Sequence, residues 1–157
     1  MTSKLQNGQL VAAGQITIVD ETDERLISFS LKARGPKIQT KIIKMNNGKR
    51  EETYDPDFTK GGLVIAPVLL FGSEDYSHLL TNEKIYYTVG QENEKSGVED
   101  GKYILNNNLG TGTSPYNTNV LKIRARVPKG AVIDPLTHKP NDSDLWAEIE
   151  ITKLDAE

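Results

Sequence analysis

Apolar and polar side chains alternate with a period of two in four stretches of this chain. Because successive side chains of a β-strand point to opposite faces, each stretch predicts a strand with one buried and one solvated face. The apolar positions are Ile27, Phe29, Leu31 and Ala33; Ile85, Tyr87 and Val89; Leu121, Ile123, Ala125 and Val127; and Leu145, Ala147, Ile149 and Ile151. The alternation predicts an all-β protein made of antiparallel sheet.

The clearest turn signal is Asn46-Asn47-Gly48, which separates two strand-like segments at residues 37–45 and 49–54. Asparagine and glycine tolerate the positive φ of a type I′ turn, so we expect a hairpin here. The charges on residues 49–54 indicate an edge strand. The most apolar segment, Leu63 to Phe71, predicts a central buried strand, in which Pro67 predicts a bulge or a break.

The remaining segments complete a single domain. Residues 15–19 predict a strand that forms a first hairpin with residues 26–33, across an acidic turn at residues 20–24. Residues 83–89 and 102–105 predict further strands. Residues 106–119 and 128–144 predict loops. A loop as long as the second usually has either a function or its own short strand, for which residues 131–133 are the candidate. We therefore expect an N-terminal arm at residues 1–13 and one β-sandwich domain at residues 14–157.

Composition excludes several classes of protein. The chain has 157 residues, enough for one domain with an ordinary core, and its lack of cysteine excludes disulfides and thiolate chemistry. Its net charge of −3, with both signs interspersed, predicts no nucleic-acid partner. The longest apolar run has nine residues, so no membrane span is expected. Residues 1–14 have no continuous apolar region, so no signal peptide is predicted either.

Residues with the potential for catalysis or metal binding do not form a recognisable motif. His78 and His138 lack a second ligand at metal-binding spacing, and the acidic clusters lack the spaced pattern of a calcium loop. The segment Gly110-Thr111-Gly112-Thr113 lacks the flanking strand and helix of a phosphate loop. We predict no catalytic residue, no metal and no cofactor. A hydrolase with a carboxylate pair stays open, because the separation of such a pair depends on the fold.

Opposite charges lie on the solvated faces of the last two predicted strands. Lys122, Arg124 and Arg126 share one face of their strand, and Glu148 and Glu150 share one face of theirs. If these strands are neighbours, the charges form a cross-strand ladder. The ladder is either plain solvated surface or a docking face for another subunit.

Two aromatic residues are candidates for an interaction site. Trp146 is out of phase with the apolar positions of the last strand, which predicts that its side chain faces away from the main core. It is a candidate for stacking on a saccharide, for covering a second small core, or for a subunit interface. Tyr116, in a predicted loop, is the second candidate for a glycan contact.

Several motifs occur in an order that resembles a domain of bacteriophage tail, baseplate and tail-fibre proteins from phages of Gram-positive bacteria. The chain has an opening GQITIVDE at residues 14–21, YDPDFT at residues 54–59, LVIAP at residues 63–67 and NVLKI at residues 119–123. The family has GQIT…D, Y-x-P-x-W/F-T, L-V-L-T-P and N-x-L-x-I in the same order. Where the family commonly has W-Y-K-x-G, this chain has YYTVG at residues 86–90.

This resemblance covers residues 14–127 and implies an immunoglobulin-like antiparallel β-sandwich. It implies a non-enzymatic virion structural protein of the tail or baseplate region, acting in assembly or host attachment. Such a protein would be assembled in the host cytoplasm and released by lysis. Its expected partners are other virion proteins and copies of itself in a homo-oligomer. The alternative is a carbohydrate-binding module for host cell-wall polysaccharide.

Overall fold

The computed structural model describes residues 25–156, and the regular structure of this part is almost entirely β-strand. The only helices in it are two single 3-10 turns, at Ser77–Leu79 and Asn82–Lys84. The all-β class is therefore confirmed. The strands are β1 (Ile27–Ala33), β2 (Ile38–Asn46), β3 (Lys49–Asp55), β4 (Leu63–Phe71), β5 (Glu74–Asp75), β6 (Tyr86–Val89), β7 (Lys95–Ser96), β8 (Tyr103–Leu105), β9 (Val120–Val127) and β10 (Leu145–Ala156).

The strands form two sheets around one core. The smaller sheet has the order β1-β4-β5, with β8 also paired to β4, and the larger sheet has the order β3-β2-β10-β9-β6-β7. The core receives the inward side chains of both sheets, such as Leu69 and Phe71 from β4 and Ile123 from β9. The alternating burial of β9 matches the predicted period of two at every position.

The predicted hairpin at Asn47 and Gly48 is confirmed. Both residues have positive φ, 53° and 78°, as a two-residue type I′ turn requires. The turn joins β2 to β3 in antiparallel register, and β3 is the outermost strand of the larger sheet. Its charged side chains therefore lie on an exposed edge, where they disfavour pairing with another chain.

One strand pair departs from the expected antiparallel arrangement. β10 pairs with β2 in parallel, from Thr152 beside Ile38 to Ala156 beside Ile42. The other pairings among the ten strands are antiparallel. A short hairpin forces its two strands to run in opposite directions, but β2 ends at Asn46 and β10 begins only at Leu145, so no such constraint applies to them. The larger sheet is therefore mixed, and the expectation of a purely antiparallel protein was wrong.

Pro67 neither breaks nor bulges β4, contrary to the prediction. The pairing of β4 with β1 runs without interruption from Ile65 to Phe71. Leu69 directs its backbone away from β1, because its N–H donates to Ser77 Oγ and its C=O accepts from the Tyr76 N–H. Pro67, two residues earlier, has the same orientation and faces a gap between β8 and β5. Its missing N–H therefore costs no ladder bond.

Three smaller predictions also need correction. The strand expected at residues 83–89 begins only at Tyr86, because a 3-10 turn occupies Asn82–Lys84. Residues 131–133 form no strand, only an isolated bridge between Ile133 and Pro140. The connection after β6 contains β7, which was not expected. The strand predicted at residues 15–19 and the arm at residues 1–13 lie outside the described residues.

A buried polar network joins β2 to the loop of residues 106–119. The Gln39 amide donates to Asn108 Oδ1 (2.6 Å) and to the Pro56 carbonyl (2.8 Å), and it accepts a bond from the Leu109 N–H (3.0 Å). Asn108 Oδ1 also accepts from the Phe58 N–H. Because these groups are buried, each needs its partner to offset the loss of water.

A largely buried ion pair fastens the long loop of residues 128–144 to the segment just before β1. The Arg25 guanidinium donates two hydrogen bonds to Asp134, Nε to Oδ2 (2.8 Å) and Nη2 to Oδ1 (2.6 Å), and a third to Glu74. Its planar group also lies 5.9 Å from the ring centre of Phe71. The loop is therefore tied to the smaller sheet through a charge-assisted, bidentate contact.

Candidate functional site

The candidate site lies on the outer surface of two neighbouring strands of the larger sheet, β9 and β10. In β9 and β10, alternate side chains enter the core and the intervening ones point outward. Strand pairing places Arg126 opposite Trp146, Arg124 opposite Glu148 and Lys122 opposite Glu150. We refer to these six residues, Lys122, Arg124, Arg126, Trp146, Glu148 and Glu150, as the β9–β10 outer face.

The two strands are neighbours, as the predicted ladder requires, but only one ion pair forms between their outward charges. Lys122 Nζ lies 3.3 Å from Glu148 Oε2, two residues along β10 from Glu150, the residue directly opposite Lys122. Both side chains are about half exposed, so this ion pair contributes only about 0.2–1 kcal/mol to stability. The ladder therefore has little effect on stability, and its main consequence is a patterned surface.

Trp146 faces outward from the larger sheet, as its phase predicts. The residue is 52% exposed, so it neither enters the main core nor covers a second one. The guanidinium of Arg124 lies 5.1 Å from the centre of the indole, and that of Arg126 lies 6.0 Å from it. These are cation–π contacts that hold the indole against β9.

Arg126 is held from several sides and its charge is compensated. It forms a bidentate pair with Glu94, Nε to Oε2 (2.8 Å) and Nη2 to Oε1 (3.0 Å), and contacts Asp144 at 3.3 Å. It also lies 5.3 Å from the ring centre of Tyr86. The Arg126 hydrogen bonds keep the pKa of Glu94 below its usual range. The Arg126 side chain is therefore held in one position at one end of the β9–β10 outer face.

Arg124 differs from Arg126 because it makes no ion pair with any described residue. Its contact with Trp146 leaves the hydrogen-bonding groups of its guanidinium available. The neighbouring position on β6 is Thr88, a neutral residue. Arg124 is thus a cation on an exposed sheet surface, next to an exposed indole, a combination that is enriched in protein interfaces.

The structure brings together four of the five interaction residues that the sequence predicts: Lys122, Arg124, Arg126 and Trp146. Tyr116 is separate, since it lies in the loop before β9 and packs, partly buried, against the core. Burial raises the pKa of Tyr103, and a hydrogen bond with Tyr116 raises it further. Glu94, Asp144 and Tyr86 were missed. Because Tyr87 points inward, its neighbour in sequence, Tyr86, must point outward. Nothing in the local sequence indicates that Glu94 pairs with Arg126.

The gap beside Pro67 forms a groove of about 470 Å³ at the other sheet. It is lined by groups of both charges, among them Arg34, Lys102, Glu83 and Asp100, and by His78. Within residues 25–156, no three His, Asp or Glu side chains are arranged to hold a metal ion. His138 lies elsewhere, in the turn of the long loop, with a φ of 61°. The groove therefore offers mixed polar contacts and no recognisable reactive centre.

No protein-family model, curated protein or solved structure matches this chain significantly. Among the helices of the described residues, none has the length and apolar character needed to cross a membrane. The fold and the β9–β10 outer face therefore carry the functional argument, together with the motifs of the sequence.

Proposed function

We propose that this protein is a non-enzymatic structural component of a phage virion, in the tail or baseplate region, that acts in assembly or host attachment. We also propose that its two sheets form an immunoglobulin-like sandwich. The observation that carries the proposal is the ordered motif set at residues 14–21, 54–59, 63–67 and 119–123. The resemblance gives this set its meaning, and the all-β fold is compatible with it.

The positions of the motifs support this proposal. The segment of residues 54–59 begins in the last two residues of β3 and continues into a turn whose backbone is hydrogen-bonded by Gln39 and Asn108. The LVIAP segment begins β4, the most buried strand, and NVLKI begins β9. The three motifs within the described residues therefore coincide with turns and strands that organise the core, which is where a shared fold would constrain sequence.

The surface supports an assembly role as well. The β9–β10 outer face combines an exposed tryptophan, an arginine without an ion pair, and opposite charges on its two strands. Interfaces are enriched in tryptophan and arginine at their energetic centres, and charge patterns determine which partner fits. A virion protein needs such a surface for its neighbours.

Immunogold electron microscopy of purified particles tests this proposal. With antibodies against the protein, we expect gold at the tail or baseplate of the phage whose genome encodes the chain. Antibodies that have been saturated with free protein provide the control for specificity. If washed particles lack the protein both by labelling and by mass spectrometry, the proposal fails.

One observation favours a second function, a carbohydrate-binding module for host cell-wall polysaccharide. The exposed indole of Trp146, beside Arg124, is the kind of flat aromatic surface that stacks on sugar rings. In this case Trp146→Ala should weaken sedimentation with purified cell walls about tenfold, the loss of roughly 1.4 kcal/mol of contact energy.

A matched control is available on the same strand. Leu154 is 51% exposed and is also on the outer surface of β10, so Leu154→Ala removes a similar exposed apolar group away from the arginines. We expect this variant to bind cell walls as the wild type does. Equal binding by the wild type and Trp146→Ala would show that Trp146 does not bind the saccharide.

A further inference from the structure

The β9–β10 outer face is a two-column pattern of opposite charge. The outward column of β9 is basic, and that of β10 has two glutamates followed by Trp146. The columns are aligned row by row, with Arg124 and Glu148 in the middle row. The two columns are therefore not equivalent: if β9 and β10 exchanged places, each basic position would become acidic or aromatic.

Most homo-oligomers are built on twofold axes, and a twofold interface must be complementary to itself. Two copies of this face can pack about a twofold axis in two principal arrangements. An axis perpendicular to the strands places β9 over β9, so that Arg124 faces Arg124 of the other copy. An axis parallel to the strands, between β9 and β10, places β9 over β10 and brings opposite charges together in both directions.

We propose that the β9–β10 outer face is the contact between two copies of this chain, related by a twofold axis parallel to these strands. In this arrangement Arg124 of one copy faces Glu148 of the other, and Lys122 faces Glu150. Trp146 faces Arg126 of the other copy. Sheets that pack face to face tilt by about 30°, so the middle row keeps its alignment best.

Two features of the single chain favour a second copy as the occupant. Arg124 and Glu150 make no ion pair with any described residue, and the twofold arrangement gives each of them an opposite charge. The same outer surface also carries four of the nine exposed large apolar residues of the described part. These are Ile38, Val120, Trp146 and Leu154. Exposed apolar groups on one surface mark a site of association.

This inference goes beyond the proposed function, because it depends only on the pattern of the face and not on a virion. Charge reversal in the middle row tests it. Arg124→Glu makes both middle-row contacts of the dimer acidic, and Glu148→Arg makes both basic. By sedimentation equilibrium, we expect the wild type to form dimers and each variant alone to dimerise at least tenfold more weakly.

Mixing the two variants separates the contact between chains from the cross-strand pair within a chain. Within each variant chain, positions 124 and 148 carry the same charge, and mixing the variants does not change this. Between an Arg124→Glu chain and a Glu148→Arg chain, both middle-row contacts become attractive. We therefore expect heterodimers in the mixture by native mass spectrometry, at an affinity near that of the wild type.

Three variants complete the experiment. Lys49→Glu makes the same change in charge on the edge strand β3 and should leave dimerisation unchanged. The double variant with both reversals in one chain should dimerise as the wild type does. Trp146→Ala, which alters no charge and removes an exposed side chain, should weaken dimerisation while its circular dichroism spectrum stays that of the wild type.

The proposal is overturned if the wild type stays monomeric up to about 1 mM, where association would be worth less than about 4 kcal/mol. It is also overturned if Arg124→Glu dimerises normally or if the mixed variants stay apart. A monomeric protein that binds cell walls through Trp146 would assign the face to a saccharide instead.

Discussion

Replacing Gln39 by leucine is expected to lower the free energy of unfolding by about 2–4 kcal/mol. Gln39 is completely buried, and its amide serves three groups at once. Leucine has a similar size but cannot hydrogen bond, so the Leu109 N–H and the Pro56 carbonyl lose their partners. Each buried group left without a partner costs about 1–3 kcal/mol. Urea unfolding followed by circular dichroism measures the loss.

A matched control is Gln91→Leu, which makes the same chemical change at an exposed position and should alter stability by less than about 0.5 kcal/mol. The variant Asn108→Leu should be destabilised like Gln39→Leu, because the Phe58 N–H then lacks its acceptor. In the double variant the losses should not add, since each residue is the partner of the other. Additive losses, or a Gln39→Leu variant as stable as the wild type, would contradict the network's role.

Asp134→Ala is expected to cost about 2–4 kcal/mol at pH 7. Removing one partner from a buried ion pair leaves the other charge without compensation, which typically costs about 3–5 kcal/mol. The Asp134 side chain is only 4% exposed and that of Arg25 10% exposed, but Glu74 remains as a second partner, so we expect a somewhat smaller loss. The loop of residues 128–144 should then open more readily, with faster amide hydrogen exchange in that loop than in β9.

The same ion pair makes stability dependent on acid. The hydrogen bonds from Arg25 lower the pKa of Asp134 to about 2. A carboxyl group with a depressed pKa contributes stability above its unfolded pKa, near 4, and loses it as the pH falls toward 2. The shift corresponds to a contribution of about 2 kcal/mol. Asp134→Asn should therefore be less stable than the wild type at pH 6, and the difference should shrink between pH 4 and pH 2.

Glu74→Gln is the control for this pH series. Glu74 contacts the same arginine, but its side chain is largely exposed, so we expect its loss at pH 7 to be under about 1 kcal/mol. Urea unfolding at several pH values from 2 to 7 compares the three proteins. A constant difference between wild type and Asp134→Asn over this range would show that the buried carboxylate is not the group that titrates.

Local patterns were sufficient for much of this fold. The period of two identified the inward residues of β1, β9 and β10, since alternation is a property of any strand. The turn at Asn47 and Gly48 followed from the conformations available to these residues. The outward position of Trp146 followed from its phase within β10. Each of these predictions required only neighbours in the sequence.

Contacts between distant segments were not predictable in this way. The structure showed that β2 and β10 run parallel, and that Pro67 faces a gap between two other strands. It also supplied Glu94 as the partner of Arg126. In each case the determining element lies far away in the chain, and no local spacing specifies it.

For the candidate site, the sequence by itself determined that β9 and β10 present opposite charges on their solvated sides, because side-chain alternation follows from strand geometry. Only the tertiary structure decided that these strands are neighbours in a register that aligns Arg124 with Glu148. It also decided that Glu94 and Asp144 compensate Arg126 while Arg124 stays without an ion pair. Register and long-range pairing depend on how the whole core packs, so these features appear only when the strands are assembled.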